Sequence, residues 1–296
     1  MRVRNLPFRI ETTLVQRFYR MTRMRPGSAP FVSGDTFRRA AHHILEKGRV
    51  IEPARVRRGE IVFVEAHELP LFVREYLPGI TEQFVLITHN GDLTIDRTHA
   101  GLAEDSRVIH WFALNCLLRH PKITAIPIGL ENRCHHTNGV LRDYRKLRRL
   151  GSRKTRRILY GFTVTTNERE RAPALEALRA CTLADPMERI NSREYRKRLE
   201  HYGFVASPPG NGVDCHRTWE ALYLHTIPIV KRSALYEAFP GLPVLVVDDW
   251  SEIRAWDSSF LEREYERLAA DIETTPHLRF DYWSGLIERA RTERRC

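Results

Sequence analysis

Two side chains of opposite charge, Arg217 and Glu220, stand three residues apart directly after a turn-rich loop. Residues i and i+3 of a helix share one face, so both side chains would point in the same direction. Such a pair beside the free amides of a glycine loop suits a ligand with phosphate and ribose. Arg217 would face the diphosphate and Glu220 would accept from sugar hydroxyls. The alternative is an ordinary surface ion pair, worth a few tenths of a kcal/mol.

The segment 203–230 is predicted to position this pair. Its apolar run 204–206 predicts a strand that ends in a loop containing Pro208, Gly210 and Gly212. Proline cannot donate a ladder hydrogen bond, and glycine adopts left-handed dihedrals, so the strand must end there. The two glycines would also let the backbone approach a diphosphate closely.

A helix and a second strand follow the loop. Asp214 is a typical N-cap residue and would begin the helix that carries Arg217 and Glu220. The apolar run 227–230 predicts the next buried strand. Strand, glycine loop, helix and strand in this order form a unit that binds nucleotides at the carboxyl end of parallel strands.

This unit resembles the nucleotide-sugar-binding segment of exostosin-family glycosyltransferases. There a proline-glycine loop enters a helix with an Arg and a Glu, and a strand of the Ile-Pro-Val-Ile type follows. The matching positions are Pro208, Gly210, Asp214, Arg217, Glu220 and 227–229. His225 and Thr226 depart from the pattern, because relatives carry a small residue there, often Gly. The resemblance covers the last third of the chain and hardly extends to the first half.

The resemblance implies transfer of a sugar from a nucleotide diphosphate donor, a UDP-sugar, to a hydroxyl acceptor on a glycan or glycolipid. We expect this transfer to be inverting and metal-independent. It also implies the GT-B arrangement, in which two Rossmann-like parallel-sheet domains face a cleft. The residues predicted to bind the donor are Pro208, Gly210, Gly212, Asp214, Arg217 and Glu220.

Apolar runs alternate with helical stretches along the whole chain, which predicts an α/β fold with parallel sheets. The predicted strands lie at 31–32, 61–64, 83–88, 108–113, 123–130, 158–162, 204–206, 227–230 and 244–247. The run 142–157 holds nine Lys or Arg and one acid, which is typical of a solvated helix or linker. We therefore predict an acceptor-side domain at 1–155 and a nucleotide-sugar-binding domain at 156–296.

An inverting transfer needs a base that removes the acceptor proton. Asp35, Asp92 and Glu131 each follow an apolar run in the N-terminal half, and His89 and His135 are further candidates. We rank Asp35 first and Asp92 second, because the glycine before each leaves the backbone free to aim the carboxylate inward. The alternatives are a helix cap for Asp35 and a turn for Asp92.

No Asp-x-Asp pair occurs, so neither a metal on the diphosphate nor a cofactor is expected. Arginine, lysine and a helix dipole would neutralise the phosphates instead. Lys154 and Arg157 are candidates for this role, with simple solvation as the alternative. The adjacent His135 and His136 have no acidic partner at ligand spacing, so no metal is predicted there.

The composition is that of a globular protein with anionic partners. The 296 residues carry a net charge of +11, with 42% hydrophobic and 29% charged residues, and suffice for two domains with their own cores. The excess of arginine favours nucleotides, nucleic acid or an acidic membrane surface. Five cysteines without paired spacing, and no secretory or membrane-spanning run, predict a cytoplasmic protein with reduced thiols.

The first 25 residues predict an amphipathic basic helix. Its apolar side chains at near-helical spacing are Leu14, Val15, Phe18 and Met21, and Arg17, Arg20, Arg23 and Arg25 decorate it. Such a helix either contacts an anionic membrane peripherally or packs on the surface of the domain. We predict the second arrangement.

Two other functions stay open at this point. The basic run 142–157 could serve nucleic-acid binding, but Tyr144 is its single aromatic residue. Because single-strand binding relies on aromatic side chains for base stacking, no nucleic acid is expected as a partner. A glycosyltransferase-like protein without activity is the second alternative.

Overall fold

A computed structural model describes residues 6–188 and 190–292 of the chain. Within these residues ten strands form two five-stranded sheets, and every strand pair in both sheets is parallel. Parallel neighbours require long crossover connections, which the helices provide. The predicted α/β fold with two parallel sheets is therefore confirmed.

The first sheet keeps the order of the sequence. From edge to edge its strands are β1 (His43–Leu45), β2 (Ile61–Glu65), β3 (Phe84–His89), β4 (Val108–Ala113) and β5 (Ile123–Ala125). The central strand β3 is buried over its whole length, which explains its continuous apolar sequence, because both faces of a parallel sheet are covered.

The second sheet places its third strand in chain order next to its first. Its strands are β6 (Thr155–Tyr160), β7 (Ala184–Pro186), β8 (Tyr202–Ala206), β9 (Ile227–Lys231) and β10 (Leu245–Val247). Their spatial order is β10-β9-β8-β6-β7. The loops that follow β6 and β8 are consequently neighbours, since the carboxyl ends of adjacent parallel strands meet at one edge.

Eleven α-helices lie in the described residues. They are α1 (Leu6–Thr22), α2 (Gly34–Ala40), α3 (Leu69–Leu71), α4 (Ala100–Glu104), α5 (Leu141–Leu150), α6 (Glu168–Ala180), α7 (Ser192–Glu200), α8 (His216–Tyr223), α9 (Ala234–Glu237), α10 (Ser258–Thr274) and α11 (Phe280–Thr292). A π-helical turn, Phe72–Tyr76, follows α3. Short 3-10 turns lie at Pro53–Arg55, Ala66–Glu68, Leu77–Gly79, Arg97–His99, Arg133–His135, Val164–Thr166, Trp250–Ala255 and Pro276–Leu278.

The structure corrects the predicted strand at 31–32. Residue 31 lies in a bend and residue 32 belongs to no strand or helix. The helix ends at Ala40, because Ala41 is extended with ψ of 146°, and the next residues join the first sheet as β1. His43 pairs with Val62 there. Strand pairing outweighs the helical spacing of Ala40, Ala41 and Ile44.

The helix α11 packs on the first sheet although it follows the second one in sequence. The amide of Phe280 donates to the carbonyl of Pro30 at 2.9 Å, and Arg291 Nε donates to the carbonyl of Gly59 at 2.8 Å. Trp283 is buried between them. The division of the chain at residues 155 and 156 stays a prediction.

The basic run 142–157 begins as the helix α5, whose basic side chains are largely exposed, as predicted, whereas its last residues are built into the protein. Lys154 Nζ is buried and donates to the Glu200 carbonyl at 2.5 Å, and burial lowers the pKa of Lys154 to about 7. Arg157 pairs with Asp185 at 2.6 Å. Both side chains are thereby occupied, and neither lines the cavity described below, so the structure supports neither a role on a diphosphate nor simple solvation for these two residues.

No helix within the described residues is both long and apolar enough to cross a membrane. The four described cysteines are free thiols: Cys116, Cys134, Cys181 and Cys215. Cys296 lies outside the described residues.

Candidate functional site

A cavity of about 1190 Å³ lies at the carboxyl ends of strands from both sheets. Asp92, after β3, lines it from the first sheet, and Gly161, after β6, lines it from the second. The loop 210–212 after β8 and the helix α8 form its floor, and the N-terminal half of α1 reaches its rim. The prediction that two parallel sheets face a shared cleft is confirmed.

The glycines of the predicted loop leave room for neighbouring side chains. A Cβ at Gly210 would lie 2.9 Å from Arg171 Nη2. A Cβ at Gly212 would lie 2.7 Å from Asn115 Nδ2. The amide of Gly210 donates to the carbonyl of Gly212 at 3.2 Å. Pro208, just before this turn, is buried. Close packing against these side chains therefore favours glycine at both positions, a reason that the sequence alone did not indicate.

Asp214 joins the loop to the first half of the molecule. Its carboxylate accepts from the amide of Ile128 at 2.8 Å, from the amide of Cys215 at 2.8 Å and from Trp219 Nε1 at 2.8 Å. Burial raises its pKa to about 7. The helix α8 begins one residue later than predicted, with Cys215 as its N-cap residue. Asp214 is therefore a buried anchor rather than the cap.

Two guanidinium groups lie beside the loop. Arg217 Nη2 donates to the carbonyl of Gly161 at 2.8 Å. Arg171 Nε donates to the carbonyl of Pro209 at 2.8 Å. Each guanidinium lies 5.8 Å from the centre of the Phe162 ring. Both line the cavity, and within the described residues neither forms an ion pair with a carboxylate. The alternative of a surface ion pair between Arg217 and Glu220 is not observed.

The positive charge of this pair is costly without a ligand. Burial lowers the pKa of Arg171, and the nearby Arg217 lowers it further. Two like charges in a partly desolvated site repel each other unless an anion lies between or beside them. Arg171 lies in α6, after β6, and no local sequence pattern marks it.

Glu220 carries a buried oxygen that has no partner. The residue is 3% exposed and lines the cavity. Its Oε1 accepts no hydrogen bond from the described residues. Burial raises its pKa to about 7, against the opposing effect of Arg196. The Tyr195 hydroxyl lines the same cavity and is also buried without a partner. A bound molecule with hydroxyl groups would satisfy both, since unpaired buried polar atoms destabilise a protein.

Asp35, the first candidate for the base, is placed in the interior. Its fully buried carboxylate pairs with Arg25 at 2.8 Å and accepts from Asn90 Nδ2 at 3.3 Å. It is not among the described residues that line the cavity. Nor is it the helix cap, because Ser33 is the N-cap residue of α2. The geometry gives Asp35 a structural role.

Glu131 is also occupied by the protein. One oxygen, Oε2, accepts from three successive backbone amides, at 3.0 Å from Thr137, 2.6 Å from Asn138 and 3.0 Å from Gly139. This arrangement closes the loop 131–139. A carboxylate that already accepts three amides is poorly suited to remove a proton from a substrate.

The two histidines named as further candidates lie elsewhere. His89 is buried and donates from Nε2 to the carbonyl of Pro127 at 3.0 Å, while Nδ1 accepts from the amide of Asn90 at 2.7 Å. Burial lowers its pKa to about 4. His135 is exposed and lines a second cavity. Neither lines the first cavity within the described residues.

Titratable residues that line the cavity and could transfer a proton include Asp92, His216 and the exposed Glu188 of the second half. Asp92 is exposed and lines the cavity from the first half. His216, which the sequence analysis missed, lines it from the first turn of α8. Burial lowers the pKa of His216, and the negative charges of Glu131 and Asp92 oppose this shift. The position of His216, directly before Arg217, was the signal that could have identified it.

Within residues 6–188 and 190–292, no group of three His, Cys, Asp or Glu side chains is arranged to hold a metal ion. The described arginines that line the cavity are Arg9, Arg171, Arg179 and Arg217. Of these, Arg171 and Arg217 lie directly beside the loop 210–212.

No protein-family model matches the chain, and no curated protein matches it. Similar solved structures include the OtsA apo structure, with a TM-score of 0.46, 10% identity, and coverage of 79% of this chain and 73% of that chain. The structure "Trehalose-6-phosphate from E. coli bound with UDP-2-fluoro glucose" is similar with a TM-score of 0.47 and 10% identity, covering 81% of this chain and 74% of that chain. The structure "T4 phage BGT in complex with UDP and Mn2+" is similar with a TM-score of 0.37 and 9% identity, covering 81% of this chain and 76% of that chain. At these TM-scores the likenesses add no argument about activity.

Proposed function

We propose that this chain is a glycosyltransferase. It transfers a sugar from a nucleoside diphosphate donor to a hydroxyl of a glycan or glycolipid acceptor, with inversion and without a divalent cation. The observation that carries this proposal is the cavity itself, in which Arg171 and Arg217 lie without carboxylate partners and Glu220 presents an unpartnered oxygen. The uridine base of the donor rests on the resemblance to the exostosin family alone.

The two arginines suit the diphosphate. Guanidinium groups form charge-assisted and often bidentate hydrogen bonds to phosphate oxygens. Hydrogen bonds to backbone carbonyls hold both side chains in place before a ligand binds. Such preorganised charges would stabilise the negative charge that develops on the departing diphosphate. Metal independence is proposed because these groups can supply the compensating charge.

Glu220 suits the ribose. It stands one helical turn from Arg217 and therefore on the same face of α8. The distance from a diphosphate to the ribose hydroxyls of the same nucleotide is of this order, so one molecule can reach both groups. The buried Oε1 would then accept the hydroxyl hydrogen bond that it lacks in the protein.

Asp92 is proposed as the base, because it is the predicted catalytic carboxylate that lines the cavity. The acceptor oxygen attacks the anomeric carbon as the bond from that carbon to the diphosphate oxygen breaks. Asp92 takes the proton of the acceptor hydroxyl, and the bonding electrons leave with the nucleoside diphosphate. His216 is the second candidate for this proton.

Isothermal titration calorimetry with UDP, ADP, UMP and UDP-glucose tests the donor site. We expect UDP to bind with a dissociation constant below 1 mM, and UMP at least tenfold more weakly because it lacks one phosphate contact. The variant Arg217→Ala controls for binding elsewhere on this basic protein. If no nucleoside diphosphate binds below millimolar concentration, or if Arg217→Ala binds as well as the unchanged protein, the proposal is wrong.

A further inference from the structure

The helix α1 is fixed to the protein along one face. Phe8 lies under the Arg193 guanidinium, which is 4.6 Å from the centre of its ring. Glu11 pairs with His136 at 3.1 Å and with Arg193 at 3.2 Å. Thr12 donates to the carbonyl of His136 at 3.3 Å. These positions recur at helical spacing and define the inner face of α1.

The opposite face of α1 is apolar and uncovered. Leu14 is 62% exposed, Phe18 is 52% exposed and Met21 is 73% exposed. Ile10 lies one turn before them and is half exposed. Their spacing places the four side chains on one stripe, and Met24 continues it beyond the end of the helix. We predicted from the sequence that α1 packs on the domain surface. Its inner face does so, and its outer face is exposed.

A turn from the first sheet lies beside the C-terminal end of α1. The tight turn 46–49 follows β1 and is closed by hydrogen bonds between Glu46 and Arg49. Its residues line a second cavity, of about 980 Å³, together with Arg20, Arg23 and Met24 of the α1 region. Val50, the next residue, is exposed. Of the seven exposed large hydrophobic residues in the described chain, four belong to α1, Met24 and Val50 follow α1 and this turn, and the seventh is Val73.

The charge around the stripe is positive and unpaired. Arg17, Arg20 and Arg23 are exposed, and none of them forms an ion pair within the described residues. Glu11 is the one acid of α1, and it is occupied by the inner face. Exposed Lys47 and Arg49 add positive charge from the turn.

The acids near the turn are already engaged. Glu46 pairs with Arg25 at 2.8 Å and with Arg38 at 2.6 Å. Glu65 accepts from the amide of Lys47 at 3.0 Å. The positive charge of the arginines on α1 is therefore not neutralised by these groups.

We propose that this surface docks the protein on an anionic lipid bilayer. The docking face consists of Ile10, Leu14, Phe18, Met21, Met24 and Val50 with Arg17, Arg20, Arg23, Lys47 and Arg49. A helix with an apolar stripe between arginines lies in the membrane interface, with the stripe among the acyl chains and the guanidiniums at anionic headgroups. Charge complementarity selects a bilayer over a second copy of this chain, because two copies would bring their arginines together.

The orientation that follows is consistent with a membrane-bound acceptor. The N-terminal half of α1 lines the first cavity through Phe8, Arg9 and Thr12, and its C-terminal half lines the second. Docking along α1 therefore brings both cavities beside the headgroup layer. The docking face itself does not depend on the proposed function, and its test requires no catalytic activity.

Vesicle flotation with the full chain tests this proposal. One set of vesicles contains phosphatidylcholine with about a third phosphatidylglycerol, and the other contains phosphatidylcholine alone. We expect binding to the anionic vesicles only, weakening as sodium chloride rises from 50 to 500 mM. Neutralising Arg17, Arg20 and Arg23 to Gln should lower the partition coefficient on the order of a hundredfold, since each basic residue near an anionic surface contributes about fivefold.

The apolar part of the face has its own variant. Leu14→Glu with Phe18→Glu should lower the partition coefficient at least tenfold even at low salt, because both side chains leave the acyl region. The matched control for the apolar variant is Val73→Glu. The matched control for the arginine variant replaces Arg57, Arg58 and Arg169 with Gln. All four residues are exposed and lie outside the docking face. These controls should bind as the unchanged protein does.

Three outcomes would overturn the proposal. The first is equal binding to neutral and anionic vesicles. The second is equal loss of binding in the control variants, which would show that net charge alone matters. The third is a dimer in light scattering that Leu14→Glu with Phe18→Glu converts to a monomer, since a second copy would then cover the stripe. Unchanged melting temperatures in all variants establish that each result concerns the surface.

Discussion

His216 Nδ1 lies 2.8 Å from the carbonyl oxygen of Gly129, across the boundary between the two halves of the cavity. A carbonyl can only accept, so Nδ1 carries the hydrogen and donates it. In the neutral imidazole Nε2 then keeps its lone pair. Because burial lowers the pKa of His216, this neutral form is the one present near pH 7. The contact therefore holds a second basic group beside Asp92.

The first prediction assigns the base. Asp92→Asn should lower the transfer rate by a factor of about 100 to 10,000, the range for removal of a general base. Its donor affinity and melting temperature should stay unchanged, because Asp92 is exposed. Measured turnover with a UDP-sugar, together with calorimetric donor affinity, checks this outcome. If Asp92→Asn stays active while His216→Gln loses turnover, His216 is the base.

The second prediction concerns the diphosphate. Arg217→Ala should weaken UDP binding by about 2–3 kcal/mol, because a phosphate would lose a charged partner in a partly desolvated site. Arg171→Ala should weaken it similarly and also lower the melting temperature, since Arg171 donates to the carbonyls of Pro209 and Thr163. Arg157→Ala is the matched control, as Arg157 pairs with Asp185 outside the cavity. Equal affinity in Arg217→Ala and Arg157→Ala would contradict the assignment.

The third prediction separates Asp35 from the chemistry. Asp35→Asn should lower the free energy of unfolding by about 2 kcal/mol, because the Arg25 guanidinium loses a buried charged partner and Arg25 Nε already lacks one. Part of that cost is screened, since the Arg25 side chain is partly exposed. Turnover per folded molecule should stay within a few fold. Urea denaturation and activity at saturating substrate measure both quantities, and a large loss of turnover with normal stability would restore Asp35 as the base.

The sequence predicts most of the sheet framework, because buried parallel strands are recorded as continuous apolar runs. The run at 83–88 becomes β3, and the run at 227–230 becomes β9. β1 could not be found in this way. Its three residues follow a helix with no break in the apolar spacing, and only pairing with β2 makes them a strand.

The candidate site is predicted only where its parts are local in sequence. Arg217 and Glu220 share one helix face, so their spacing was sufficient to place both in the cavity. Arg171 lies beside them because β6 and β8 are neighbours in the sheet. The order of the strands along the chain does not predict this neighbourhood. Asp35 and Asp92 both follow a glycine, so their local sequences look alike. Asp35 is the buried one, and its ion pair with Arg25, ten residues earlier in the chain, is not apparent from the sequence.

His225 is the position at which the sequence departs from the exostosin pattern, which has a small residue there, often Gly. It adopts φ of 57°, in the left-handed region that favours glycine. Its Nε2 lies 3.1 Å from a Glu273 carboxylate oxygen. The chain therefore holds a large side chain in a backbone conformation that glycine adopts more easily.

The last prediction concerns the pH dependence that Glu220 gives to stability and binding. Burial raises its pKa to about 7 in the folded protein, above the ordinary value for glutamate. Between about pH 4.5 and 7 the unfolded chain releases this proton while the folded protein retains it, so the contribution of Glu220 to stability falls as pH rises. Glu220→Gln removes this titration. Relative to the unchanged protein, the variant should therefore gain up to about 3 kcal/mol between pH 5 and pH 8, measured by urea denaturation at each pH.

Donor binding should show the opposite dependence. Ribose hydroxyls donate to the ionised carboxylate, so the affinity of the unchanged protein for UDP should rise as pH increases through 7, and the affinity of Glu220→Gln should rise less. Because the terminal phosphate of UDP also titrates near this range, the difference between the two proteins in the same buffers isolates Glu220. Calorimetric titration from pH 5.5 to 8.5 gives both curves. Parallel curves would show that Glu220 does not contact the ligand, and the unpartnered Oε1 would then need another explanation.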